Sequence, residues 1–109
     1  MLIDEAAYGP NHPTVARDVN NLGSVLHERG DLGGARAAFE RALEIDEAAY
    51  GPDHPTVARD VNNLAGVLMD GGDLDGARAA YERALRVFES AFGADHRSTR
   101  IVRDNRLAL

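Results

Sequence analysis

His12-Pro13-Thr14-Val15-Ala16-Arg17-Asp18-Val19-Asn20-Asn21-Leu22 returns without a change as His54 through Leu64. The stretch before it behaves the same way: Ile3-Asp4-Glu5-Ala6-Ala7-Tyr8-Gly9-Pro10 reappears as Ile45 through Pro52. Both are offset by 42 positions, and residues 3–44 match residues 45–86 at 33 of 42 positions. A third, decayed copy opens near Val87 and keeps Phe92-Gly93, Asp95-His96 and Asn105. A fixed period of this length marks a repeat array, so the fold follows from what one unit becomes.

Each unit reads as two helices. The first spans about Pro13 to Arg29, with Pro in the first turn, where its missing N–H would be unpaired anyway. Val15, Val19, Leu22 and Leu26 recur at helical spacing and form one apolar stripe. Gly30-Asp31 breaks this helix, and Asp31 caps the next. The second helix runs from about Leu32 to Ala49, with a stripe of Ala35, Ala38, Phe39, Ala42, Leu43 and Ile45. It stops at Gly51-Pro52, because Gly tolerates left-handed geometry and Pro cannot continue a helix. The second unit repeats this over Pro55–Gly71 and Leu74–Phe92. Residues 97–109 form one more helix, and residues 1–8 match the end of a second helix whose beginning is absent. The expected division is therefore a remnant at 1–8, repeat one at 13–50, repeat two at 55–92 and a terminal helix at 97–109. One helix pair cannot bury its apolar faces alone, but stacked pairs can. The expected fold is all-α, a right-handed solenoid of stacked antiparallel helix pairs, cut from a longer array.

Composition narrows the function. The 109 residues are 44% apolar, as in folded proteins, and no apolar run approaches the roughly 20 residues that span a bilayer. A net charge of -6 repels phosphate backbones, which argues against a nucleic-acid partner. All 12 basic residues are Arg, and there is no Cys, which removes disulfides and thiolate metal sites. The start of the chain lacks the pattern of a signal peptide, so the cytoplasm is the expected compartment.

The Leu22-Gly23, Ala35, Phe39, Ala42 series of unit one, and the Leu64-Ala65, Ala77, Tyr81, Ala84 series of unit two, resemble the tetratricopeptide repeat pattern. Departures are Val19 and Val61 where Trp is frequent, Leu26 and Leu68 in place of Tyr, and Glu47 and Glu89 where a Pro ends the helix. Without that Pro the second helix runs on to the Gly-Pro turn, which accounts for a unit eight residues longer than the usual 34 or so. The 42-residue period with Tyr-Gly-Pro-Asp-His-Pro is similar to the repeats of kinesin light chains and of many bacterial multidomain proteins.

The resemblance implies that the first helices line a concave face. With Val19, Leu22 and Leu26 in the core, the stripe beside them faces the groove: Arg17, Asn20, Ser24 and His27 in unit one, and Arg59, Asn62, Gly66 and Met69 in unit two. The terminal helix adds Ile101, Asp104 and Ala108. Asn20 and Asn62 are the leading candidates, since an amide both donates and accepts and so pairs with any peptide backbone. Arg17 and Arg59 suit a carboxylate from an acidic side chain or a chain terminus. The alternative is that Asn20 and Asn62 only bridge adjacent helices, while the arginines pair with nearby acids. Differences between the units at 24/66, 27/69 and 28/70 fall on or beside this face.

Nothing else in the sequence assembles into chemistry. His12, His54 and His96 hold equivalent places in successive units, too far apart to converge on one metal ion, and are expected to cap helix starts. Ser24, Ser90 and Ser98 lack the setting of an activated nucleophile, there is no phosphate loop, and no paired carboxylates stand out. Glu40, Glu47 and Glu82 read as a solvated face paired with Arg36, Arg41, Arg78 and Arg83. The sequence thus points to a binding module without catalysis, metal or cofactor, holding a peptide or protein segment. Self-association through exposed array ends, or a repeat unit with no partner of its own, are the alternatives.

Overall fold

Five helices follow one another in the computed structural model, which describes residues 11–109. They are α1 (Pro13–Glu28), α2 (Leu32–Tyr50), α3 (Pro55–Asp70), α4 (Leu74–Phe92) and α5 (Arg97–Leu107). The helix end expected at residues 1–8 lies outside the described residues. Each helix packs on the next, and α1 also touches α3, so the first helices of the two units share one side of the stack.

The helix ends are chemically explicit. Pro13 and Pro55 open their helices, and His12, His54 and His96 cap α1, α3 and α5. Each ring accepts through Nδ1 from the backbone N–H two residues on, at 3.1, 3.0 and 3.1 Å. His54 also stacks on Tyr50, and His96 on Phe92, with ring centroids 4.5 and 4.4 Å apart. The second helices use Asp31 and Asp73 as caps, on Gly34 and Gly76. At the end of α1, Gly30 N–H reaches His27 O and Asp31 N–H reaches Leu26 O, the paired bonds of a left-handed helix stop. Gly51, which ends α2, has φ 86° and ψ 164°, a region open essentially to Gly alone.

The core of α2 is as the sequence predicts for Ala35, Ala38, Phe39, Ala42 and Ile45, while Leu43 is only partly buried and packs against the core of the second unit. The first helices differ from expectation. In α1 the buried residues are Val15, Ala16, Val19, Asn20 and Gly23, while Leu22 and Leu26 are only partly covered. The Phe39 ring packs there, so close to Gly23 that a Cβ on it would come within 2.8 Å of the ring. The small side of α1, not its leucine side, therefore takes the ring from α2, and the core face is rotated by about one residue. Burying such a ring stabilises the fold by about 1.5–3 kcal/mol.

Charged contacts on the outer side partly follow the sequence reading. Arg36 pairs with Glu40 one turn away at 3.1 Å. Glu47 instead meets Arg83 of the next unit at 3.3 Å, and Glu82 meets Arg106 at 3.3 Å. These pairs are half exposed and contribute little each.

Candidate functional site

Where α1 and α3 run side by side, a groove of about 280 Å³ opens, lined by Ser24, His27, Asn62, Asn63, Gly66, Tyr81 and Asn105 among others. Its wall is a contact between units: His27 Nε2 lies 2.5 Å from Asp70 Oδ2. Its floor is open because Gly66 has no side chain; a Cβ there would stand 3.5 Å from His27 Cε1 and 3.9 Å from Tyr81 Oη. Burial, and then the charge of Asp70, push the Tyr81 hydroxyl up from its ordinary value, so it stays a neutral donor. His27, Asp70 and Tyr81 differ from their counterparts Met69, Glu28 and Phe39. Some of the nine differences between the units thus meet at one place.

The residues expected to form a single stripe are divided by the structure. Ser24, His27 and Asn62 line this groove. Arg17 and Arg59 lie together in another cleft, of about 260 Å³, with Thr14, Tyr50, Thr56 and Asp46. Asn62 and Arg59 share a third, smaller cleft with Phe88, Ser98 and Ile101. Met69 does not line the groove; it is partly buried against the core of the second unit. Asn20 does not face the groove either. It is 7% exposed, and its Oδ1 accepts from Asn63 Nδ2 at 3.0 Å, which ties α1 to α3. The rotation of the α1 core face carries Asn20 inward.

Asn62 is the counterpart of Asn20 one unit on, and Asn105 that of Asn63. Strict repetition would give a second bond of the same kind, but Asn62 Oδ1 has no hydrogen-bond partner. One rung of an amide ladder is made, and the next is left open.

Sequence reasoning missed a pair of buried carboxyls. Asp46 of α2 and Asp60 of α3 are 1% and 0% exposed, and neither Oδ2 has a donor. Arg59 Nη2 stands 3.4 Å from Asp60 Oδ1 and 3.9 Å from Asp46 Oδ2. Burial raises Asp60 most, the hydrogen bond and charge of Asp46 raise it further, and Arg59 pulls the other way; the net result is a group pushed up to about 8. The signal was present in the spacing. Asp46 lies four residues after Ala42 and seven after Phe39, on the core side of α2. The decayed copy also has Phe88 and Val102 at the two positions, residues that belong in a core.

Among the described residues no group of three His, Asp or Glu side chains is placed to hold a metal ion, and no helix is long and apolar enough to cross a membrane. Two tetratricopeptide repeat models match the chain, over residues 19–56 and 60–107, the second of the kinesin light chain-like kind. No curated protein matches it at a significant level. With paired helices stacked in series and these matches over most of its length, the chain belongs to the tetratricopeptide repeat family. Repeats of this family serve in general as protein–protein interaction modules.

Proposed function

We propose that the chain binds an extended segment of a partner polypeptide in the groove between α1 and α3, with Asn62 pairing to the partner's backbone. One observation carries this reading: Asn62 Oδ1 has no donor among the described residues, whereas its counterpart Asn20 is satisfied by Asn63. A buried acceptor without a donor costs about 1–3 kcal/mol, which a turn of the Asn62 amide outward onto a partner N–H removes. Ser24, His27 and Tyr81 supply side-chain selectivity around it, and Arg59, sharing a cleft with Asn62, suits an acidic residue of the same segment. The protein acts by holding its partner, and no catalytic step is assigned to it. A peptide-array screen followed by titration of the best binder tests this. Asn62→Ala is expected to weaken binding at least tenfold with an unchanged unfolding midpoint, and equal affinity in both proteins would remove the groove from the reading.

Self-association is a second reading, supported by Ile101 and Leu107 of α5, which are 46% and 70% exposed. Sedimentation over a wide concentration range separates the two, because a strict monomer leaves only the groove.

A further inference from the structure

The Asp46–Asp60 pair poses a physical problem. Two buried carboxyls, each with one oxygen lacking a donor, are costly in a core, and apolar residues in such places are commonly neutral or stabilising. The chain contains that alternative. At the α4–α5 contact the equivalent positions are Phe88 and Val102, both buried, and the position equivalent to Arg59 is Ile101. All three polar residues have apolar counterparts there, so the stack does not depend on them for packing.

Their arrangement explains what they do. Two buried carboxyls side by side cannot both ionise cheaply, and burial, with Asp46 beside it, favours the protonated form of Asp60. Arg59 pairs with both carboxyls, and its side chain is 46% exposed. The other charged and titratable groups around it are few. Arg17 from α1 and Tyr50 from α2 line the Arg59 cleft. On the side of α4 and α5 its neighbours are Phe88, Ser98, Ile101 and Val102, none of which titrates in the ordinary range.

We propose that capture of a partner carboxylate by Arg59 is linked to uptake of a proton by the Asp46–Asp60 pair. This rests on the groove reading for the source of the carboxylate, an acidic peptide. As Arg59 turns to the ligand, the pair loses the cation that favours its ionised form and gains a nearby negative charge. Both changes strengthen the hold on the proton. By linkage, affinity for an acidic segment falls as pH rises above the point where the free pair ionises, by up to about tenfold per pH unit. The acid pair thereby sets the pH range over which the site accepts an acidic partner.

The test uses the whole chain and an acetylated Glu-Glu-Asp-Glu peptide amide as probe. Calorimetry at pH 8.5 or so, in two buffers of different ionisation enthalpy, counts protons taken up on binding. Carboxyl carbon NMR of Asp46 and Asp60 follows the pair directly. Wild type is expected to take up a sizeable fraction of one proton, and Asp60→Asn to bind with none. Binding by wild type without proton uptake overturns the proposal. If the probe does not bind, the groove reading has failed for acidic segments, and Arg59→Ile still decides the linkage. An upward move of the pair's titration in that variant upholds the coupling of Arg59 to the proton, and an unmoved titration overturns it. The variant Asp46→Phe with Arg59→Ile and Asp60→Val, which copies the α4–α5 contact, is expected to keep its helicity by circular dichroism and serves as the uncoupled control.

Discussion

Asp70 Oδ2 of α3 lies 2.5 Å from His27 Nε2 at the end of α1, so one wall of the groove is built by two units together. The Asp70 side chain is 49% exposed, and such a pair contributes at most about 1 kcal/mol. His27→Met, which introduces the residue found one unit on, is therefore expected to move the unfolding midpoint little. It removes a polar group from the wall, so the peptide-array profile of this variant is expected to shift toward apolar side chains, with total helicity by circular dichroism unchanged.

Asn20 and Asn62 occupy equivalent positions and are expected to answer differently to the same change. Asn20→Ala deprives the Asn63 amide of its acceptor in a buried place and is expected to cost about 1–3 kcal/mol in urea unfolding. Asn62→Ala removes an acceptor that has no donor and leaves the urea midpoint where it was, or raises it. Equal losses in the two variants would show that Asn62 is a structural bridge like Asn20.

The histidine caps give a third expectation. His54→Ala removes the acceptor for Thr56 N–H and the stack on Tyr50, and is expected to cost about 1 kcal/mol. His54→Asn restores an N-cap acceptor without the ring, so the difference between the two variants measures the cap, and the remaining deficit measures the stack. Thermal unfolding of both against wild type is the measurement.

The acid pair makes stability depend on pH with a definite sign. Asp60 titrates at an ordinary 3.8 when unfolded and is pushed up to about 8 in the fold. Between those limits the native state binds more protons than the unfolded chain, so stability falls as pH rises. Its contribution is fully present below the unfolded value and is lost as pH passes through about 8. Asp60→Asn is expected to flatten this slope, with the largest gain over wild type at pH 9 or so; parallel urea midpoints for the two proteins from pH 5 to 9 would refute it.

Helix limits were legible within a residue or two, because Pro13, Gly30, Asp31 and Gly51 act through local backbone chemistry that sequence carries directly. The rotation of α1 was not legible. Four leucine and valine positions at helical spacing outweigh the small residues beside them, yet both first helices turn those small residues inward, Ala16 and Gly23 in α1 and Ala58 and Ala65 in α3. Everything placed by that face moved with it. Asn20 went into the stack, while Ser24, His27 and Asn62 kept to the groove. Arg17 and Arg59 fell into a cleft of their own near the starts of the first helices. The buried carboxyls are a different case: spacing puts Asp46 on the core side of α2, but only the packing of α3 on α2 shows that it and Asp60 are covered.

The positive-φ glycines Gly30, Gly51, Gly72 and Gly93 stand 21 residues apart. The chain is thus metered in half-units, a helix and its turn, and a full unit is two such beats. Losing or gaining one beat would keep every turn in place but exchange inner helices for outer ones, setting α1-type faces where α2-type faces belong. Only an even number of beats preserves the order of the two helix types and the side on which the groove opens. The length of such an array can therefore grow by slippage between near-identical genes only in whole steps of two, and each step adds another groove boundary.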